Sequence, residues 1–346
     1  MSLDPRTVSF AAGERNVFLH ILTACNLSCR HCYINPAQHG TAMLSREQLA
    51  SWIRLFADKR RTANIIFLGG EPTMHPDLPY GIEVARSCGF TTTVDSNGYL
   101  FHDFLERVDP RHLDYLSFSL DGPDPAVNDP IRGQGVFAVC TDSLRRAVAR
   151  GLNTSLIYTV SSSNIDHLQR MVPLLVELGV NRFFIQVIGL RGKSAPAGDM
   201  VEQQLQVAPE QWLAVVPAVA RQVAEAGIDV IYPKVYLEEG ERFECAGRVA
   251  ENFFVFPNGR VYQCPLCEDH PLHSYEIRDD QLVRTGGVNE ERLFTLDIPE
   301  GCVMNKLLQP DTIAYNAAGR PLHRISCCLL KQHISGGGNR AEHQPR

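Results

Sequence analysis

The chain has 346 residues, 44% apolar and 21% charged, an ordinary globular balance with length for one large unit and a smaller one. A net charge of −6 argues against a nucleic-acid backbone as the main partner, since that favours a basic face, and no uninterrupted apolar run nears the roughly 20 residues that span a bilayer. Residues 1–15 carry Asp4, Arg6, Glu14 and Arg15 but no apolar secretory core, so the eleven cysteines are expected in a cytoplasmic chain and point to metal ligation rather than disulfide stapling.

Short apolar runs alternate with helical patterns from residue 16 to 232. Residues 16–22 (NVFLHIL) read as a strand that runs into a cysteine-bearing loop. Ser45 and Gln48 have the spacing of a capping box, opening an amphipathic helix through Leu49, Ile53 and Phe56. Residues 64–68 form a buried-type strand, followed by a helix over 81–88. A strand over 91–94 precedes a short helix over 102–108. The strand 115–120 precedes the helix 137–150, and the strand 153–159 precedes the helix 165–178. Residues 182–187 make the sixth strand, and a long helix over 211–226 leads to a strand at 229–232. Such alternation implies parallel βαβ units with right-handed crossovers, closing partway into a barrel or lying open as a doubly wound sheet. Either way the ligand site belongs at the C-terminal strand ends. After residue 240 the rhythm changes. Residues 253–256 and 261–263 flank Asn258-Gly259, a strong hairpin turn signal. The stretch 270–320 has little periodicity, and the tail 332–346 is expected to be disordered.

The loop after the first strand reads Thr23-Ala-Cys25-Asn-Leu-Ser-Cys29-Arg-His-Cys32-Tyr33. Three thiolates in the order C-x3-C-x2-C can hold three irons of a 4Fe-4S cluster, leaving one iron open, and an open metal position marks a reactive centre. Zinc held by Cys25, Cys29, His31 and Cys32 is the bland alternative, made awkward by the adjacency of His31 and Cys32. The loop closely resembles that of the radical S-adenosylmethionine (SAM) enzymes. Gly69-Gly70-Glu71-Pro72 follows the second strand, where glycines let backbone approach a ligand and Glu71 offers an acceptor for an amine. It resembles the family motif that holds the methionine amino group, and Ser96-Asn97-Gly98 at the next strand end is similar to another. Ser119-Leu-Asp121-Gly122 looks like the ribose- or methionine-binding turn. Arg132, in the loop beyond, could pair with a carboxylate. Tyr33 sits where the family places an aromatic against adenine, and Gln186 with residues 189–195 would complete the pocket. The resemblance implies a partial (βα)6 TIM-like α/β barrel over 16–235, after a lead-in of 1–15, with a 4Fe-4S cluster and SAM as cofactors.

The extension over 240–331 carries Cys245, Cys264, Cys267, Cys302, Cys327 and Cys328. Cys245, thirteen residues, Gly259, four residues, Cys264 resembles the SPASM and twitch extensions, in which a β-hairpin presents cysteines to an auxiliary 4Fe-4S cluster. Cys245, Cys264 and Cys267 are the candidate ligands here. A zinc ribbon is the competing reading, since CxxC after a hairpin serves zinc equally well. Cys88 and Cys140 fall in helices, where burial as small hydrophobes is the default. The histidines pair at no metal-ligating spacing, so no metal outside the clusters is expected.

The resemblance implies reductive cleavage of SAM to a 5′-deoxyadenosyl radical that abstracts hydrogen from a substrate, with flavodoxin or ferredoxin as reductant and neither nucleic acid nor membrane as partner. Residues before Cys25 are too few for a fused peptide-recognition domain. The reading therefore favours a small biosynthetic metabolite, a sugar, aminoglycoside or sugar nucleoside of natural-product biosynthesis, undergoing dehydrogenation, epimerisation or decarboxylation. Maturation of a ribosomal peptide or protein is the alternative, and a non-catalytic iron–sulfur electron carrier the outside one.

Overall fold

The computed structural model describes residues 3–8, 13–58, 60–100, 103–195, 205–287 and 289–337. Its strands are β1 (Arg6–Val8), β2 (Arg15–His20), β3 (Ala63–Leu68), β4 (Thr91–Ser96), β5 (Tyr115–Ser119), β6 (Thr154–Val160), β7 (Arg182–Val187), β8 (Asp229–Pro233), β9 (Tyr236–Leu237), β10 (Glu251–Val255), β11 (Arg260–Tyr262), β12 (Tyr275–Arg278), β13 (Gln281–Arg284), β14 (Arg324–Ile325) and β15 (Lys331–Ile334). Thirteen of them form one sheet in the order β1-β15-β8-β7-β6-β5-β4-β3-β2-β10-β11-β12-β13. From β2 to β8 neighbours are consecutive and parallel, the arrangement that βαβ crossovers produce. The α/β barrel is open: β2 takes β10 as a parallel partner and β8 takes β15 as an antiparallel one.

Side chains alternate along these strands. On β3, Ala63, Ile65 and Phe67 are buried while Asn64, Ile66 and Leu68 are half-buried; on β4, Thr92, Val94 and Ser96 are buried and Thr91, Thr93 and Asp95 half-buried. The buried set meets Leu49, Ile53, Ile82, Leu144 and Leu175 of the covering helices in one core. Burying each such phenylalanine or leucine stabilises by about 1.5–3 kcal/mol. The opposite set, Asp95 included, faces the concave side.

The capping box is formed in both directions. The Gln48 N–H donates to Ser45 Oγ at 3.2 Å and the Ser45 N–H to Gln48 Oε1 at 2.9 Å, opening the helix Arg46–Leu55. Three segments differ from expectation. Residues 165–178 are not one α-helix but a 3-10 segment, Ile165–Arg170, and then a helix, Met171–Leu178, because Pro173 can sit only in the first turn. A helix, Pro125–Arg132, stands where a loop was expected; Asp124 caps it through the Val127 N–H and Pro125 starts it, an order favoured at helix N-termini, although internal Pro130 disguises it. The tail is not disordered from 332: β15 pairs with both β8 and β1, and the rest of that expectation, residues 338–346, lies outside the described residues.

The C-terminal hairpin forms as expected, Phe254 opposite Tyr262 and Val255 opposite Val261. Gly259 has φ +85, and a Cβ there would stand 2.6 Å from the Ile277 carbonyl oxygen, so the turn needs glycine on two counts. The stretch 270–320 holds more structure than its weak periodicity implies, namely the β12–β13 hairpin turned by Asp279 and Asp280 at positive φ and the short helices Glu290–Leu293 and Val303–Leu308.

Candidate functional site

The GGEP, SNG and SLDG motifs gather around the cysteine loop at the C-terminal ends of β3 to β5, whereas Gln186 is exposed near the end of β7. The double glycine of Gly69-Gly70 packs directly on that loop. Gly70 N–H donates to the Leu22 carbonyl at 3.0 Å and Glu71 N–H to the Ala24 carbonyl at 2.9 Å. A Cβ on Gly70 would overlap the Ala24 carbonyl group, and one on Gly69 would stand 2.6 Å from the Leu22 oxygen. The turn after β3 thus clamps the strand that leads into Cys25.

Glu71 is fully buried, and both its oxygens are engaged. Thr73 donates to Oε1 from its N–H at 3.0 Å and its hydroxyl at 2.6 Å, Ser96 Oγ donates to the same oxygen at 2.9 Å, and the Asn97 N–H donates to Oε2 at 2.7 Å. Burial pushes its pKa up while these bonds oppose the shift. Glu71 therefore ties the β3 and β4 turns together, and its remaining accepting capacity lies on Oε2. Asn97 reaches the loop directly: its Nδ2 donates to Asn26 Oδ1 at 2.9 Å and lies 3.6 Å from Cys25 Sγ.

On the other side of the loop Asp121 is buried, with Oδ2 2.6 Å from Arg132 Nε and 3.3 Å from His31 Nε2. Arg132 is the last residue of the helix Pro125–Arg132, and its ion-pair partner is Asp121. Cys29 Sγ lies 3.8 Å from the Arg132 carbonyl. Asp121 Oδ2 and Arg132 Nε answer one another across that contact, while His31 Nδ1 is buried without a hydrogen-bond partner. Such an orphaned group is uncommon in a finished interior. Ser119 ends β5, its carbonyl accepting from Cys140 Sγ at 3.7 Å. Next to His31 opens a cleft of about 260 Å³ lined by Arg30, Thr159, Ser161, Ser163, Asn164 and Ile188 among others. The serine run after β6 was not singled out in sequence, and serine is too common at strand ends to signal a pocket unaided.

Tyr33 is turned away from that cleft. Its hydroxyl lies 2.8 Å from His20 Nε2, and its ring packs with Phe254, Phe256 and Tyr262 of the C-terminal unit. His20 and His39 sandwich Phe256 with centroids 3.8 and 3.6 Å away, and burial lowers both histidine pKa values to about 3. These histidines come from different elements and no spacing announces them.

Burial pushes the Cys25 thiol up to about 11, and raises that of Cys29 against the opposing field of Arg132. Without a cation both are neutral thiols at pH 7, and metal ligation removes their protons. Among the described residues no group of three His, Cys, Asp or Glu side chains already stands at ligating separation, so the thiols must turn inward to share one metal group. The donor set fits a 4Fe-4S cluster with one open iron: three cysteines on one loop, with the buried Asp121–Arg132 ion pair and the unpartnered His31 Nδ1 beside it.

In the extension, Cys245, Cys264, Cys302, Cys327 and Cys328 lie within one another's electrostatic reach. Burial pushes Cys302 up to about 12, and the Cys328 thiol holds Cys327 down by hydrogen bonding. Cys267 hydrogen-bonds Cys264 through its thiol and interacts with Glu290 and Arg260 as well. Of the three candidate ligands, Cys264 and Cys267 share a side-chain hydrogen bond, and Cys245 lies within electrostatic reach of Cys264. Cys302 joins them because its N–H donates to the Ile325 carbonyl at 3.0 Å, a long-range contact that spacing cannot forecast.

The family model described as the Radical SAM superfamily matches residues 19–175. A PqqA peptide cyclase of Ruegeria pomeroyi is 27% identical over 294 residues, 80% of this chain and 76% of that protein. An Fe-coproporphyrin III synthase of Methanosarcina barkeri is 28% identical over 213 residues, 57% of this chain and 51% of that protein. In fold, the chain is similar to Streptococcus suis SuiB bound to S-adenosylmethionine, with TM-score 0.59 and 12% identity over 86% of this chain and 66% of that one. It is also similar to anSMEcpe with bound AdoMet, with TM-score 0.58, 14% identity and 78% of each chain covered. The chain thus spans about two thirds of SuiB and about half of some curated relatives. No helix among the described residues is long and apolar enough to cross a membrane. With its three-cysteine loop at the head of an open parallel barrel, the chain carries a radical SAM domain, the machinery of an enzyme that uses a 4Fe-4S cluster and SAM.

Proposed function

We propose that this enzyme modifies a peptide substrate by radical SAM chemistry. The observation that carries this reading is the match to a PqqA peptide cyclase over 294 residues, 80% of the chain, which extends beyond the SAM domain. It favours the peptide alternative over the small metabolite. In this reading Cys25, Cys29 and Cys32 hold the cluster, which with SAM supplies one-electron cleavage of the sulfonium and hydrogen abstraction from unactivated carbon. The protein supplies orientation and water exclusion. Asn97 braces Cys25, while Arg132, held by Asp121, is placed to meet the carboxylate of SAM. The cleft lined by Ser161, Ser163 and Asn164 receives the nucleoside, and Glu71, Ser96 and Ser119 keep the surrounding turns in register. The second cysteine centre, with Cys245 and Cys264 as ligands joined by Cys302 and one of Cys327 and Cys328, holds an auxiliary cluster.

The test is incubation of anaerobically reconstituted enzyme with SAM, dithionite and either short peptides encoded beside its gene or a panel of sugar nucleotides. Formation of 5′-deoxyadenosine above the uncoupled background is expected with a peptide, together with a mass change of that peptide. Stimulation by a sugar nucleotide and by no peptide would reinstate the small-metabolite reading.

A further inference from the structure

The turn after β7 touches both cysteine-bearing units at once. Toward the cysteine loop, the Lys193 N–H donates to the Cys32 carbonyl at 2.8 Å and Lys193 Nζ to Ser28 Oγ at 2.8 Å. Gly192, at φ +58, approaches so closely that a Cβ would overlap the Cys32 carbonyl and stand 2.6 Å from the Tyr33 oxygen. Toward the extension, Arg191 Nη1 donates to the Pro265 carbonyl at 2.6 Å, between Cys264 and Cys267, and its Nε pairs with buried Glu268 at 2.8 Å. Asp269 joins the two sides, one oxygen accepting the Gly192 N–H at 2.5 Å and the other the Asn35 amide at 2.9 Å. The receiving turn is itself anchored, because Arg260 donates to the carbonyls of Cys267 and Glu268.

The two ends of the iron–sulfur loop are thus held by different residues. The Cys25 end is gripped by Gly70, Glu71 and Asn97 of the barrel. At the Cys32 end the flanking residues are held by the barrel, Arg30 N–H on the Ile131 carbonyl at 2.9 Å and Tyr33 on His20, while the Cys32 backbone itself has a long 3.4 Å bond to the Cys29 carbonyl and the bond from Lys193. A ligating side chain must be held to about 0.5 Å to serve its metal. We propose that residues 191–193 are a splint, with Arg191, Glu268 and Asp269 as positioning residues that fix the Cys32 end of the loop against the C-terminal cysteine unit. This rests on the assignment of Cys25, Cys29 and Cys32 to the SAM cluster and not on the peptide substrate.

The test uses the full chain carrying Asp269→Asn or Arg191→Met, with Arg191→Lys as the conservative variant. In metal-free protein, pulse alkylation read by mass spectrometry should show Cys32 reacting several-fold faster in Asp269→Asn while Cys25 keeps its native rate. After anaerobic reconstitution, the change in the EPR signal on adding SAM should weaken in Asp269→Asn and Arg191→Met and be partly regained in Arg191→Lys. Equal acceleration of Cys25 and Cys32, meaning general loosening, or native rates at both, would overturn the splint. Alkylation is read without metal, SAM or substrate, so its failure leaves the substrate reading intact and the converse also holds.

Discussion

Replacing Gly70 by alanine separates two explanations of the double glycine. If the glycine serves only a bound ligand, the metal-free Gly70→Ala protein is as stable as the native one and loses only SAM affinity. The structure requires otherwise, since the added methyl would overlap the Ala24 carbonyl and stand 2.6 Å from the Thr23 oxygen, and backbone cannot yield as a side-chain tip does. Relief means parting the turn from the loop, breaking the bonds from Gly70 N–H to Leu22 and from Glu71 N–H to Ala24. Two such bonds at about 1 kcal/mol each, with roughly 1–3 kcal/mol for overpacking, give about 3–5 kcal/mol. Against a total of about 5–15 kcal/mol the variant still folds, with Cys25 displaced. Urea unfolding of metal-free protein, iron content after reconstitution and 5′-deoxyadenosine formation should all fall together. Gly286→Ala, where no atom lies within 4 Å of the new methyl, is the neutral control. Native stability in metal-free Gly70→Ala would refute the clamp.

Substitution of Cys25, Cys29 or Cys32 by alanine should abolish SAM cleavage and remove about four irons per chain. Cys264→Ala should remove the other complement and spare uncoupled cleavage, because the splint contacts at Pro265, Glu268 and Asp269 do not involve its thiol; loss of the N-terminal iron signal in Cys264→Ala would contradict two separate centres. Asp95 offers a pH test: burial, opposed by a hydrogen bond from Ser117, pushes its carboxyl up to about 6, against about 3.9 when unfolded. A carboxyl raised on folding contributes stability that is complete below about pH 4 and lost as the pH rises through about 6. Asp95→Asn should therefore gain on the native protein from pH 4 to pH 8 in urea midpoints, and a constant difference across that range would remove Asp95 as the source.

What could be read from sequence was local. The capping box of Ser45 and Gln48, the Asn258-Gly259 turn and the strands at 64–68 and 91–94 depend on neighbours a few residues apart, and each formed. The placement of GGEP and SNG at strand ends was equally legible, because βα units carry their ligand loops there. The use made of those motifs was not. Gly70 faces Ala24, and Glu71 bonds Ser96, partners supplied by other strands. Tyr33 follows Cys32 directly, yet its direction is set by His20 and by a hairpin more than 200 residues away. The same holds for Cys302, brought to Cys264 by pairing with Ile325. The helix Pro125–Arg132 hid because one internal proline outweighed a sound cap.

The single sheet bears on how the molecule would respond to being cut. Because β10 lies in register on β2, with Phe254 stacked on Phe18 at 4.4 Å, the change of sequence character near residue 240 is no mechanical seam. A protease nick between β9 and β10 would leave two fragments zipped along a shared edge. Removing the second fragment would lay bare the hydrogen-bonding row of the first barrel strand, a sticky margin inviting self-association.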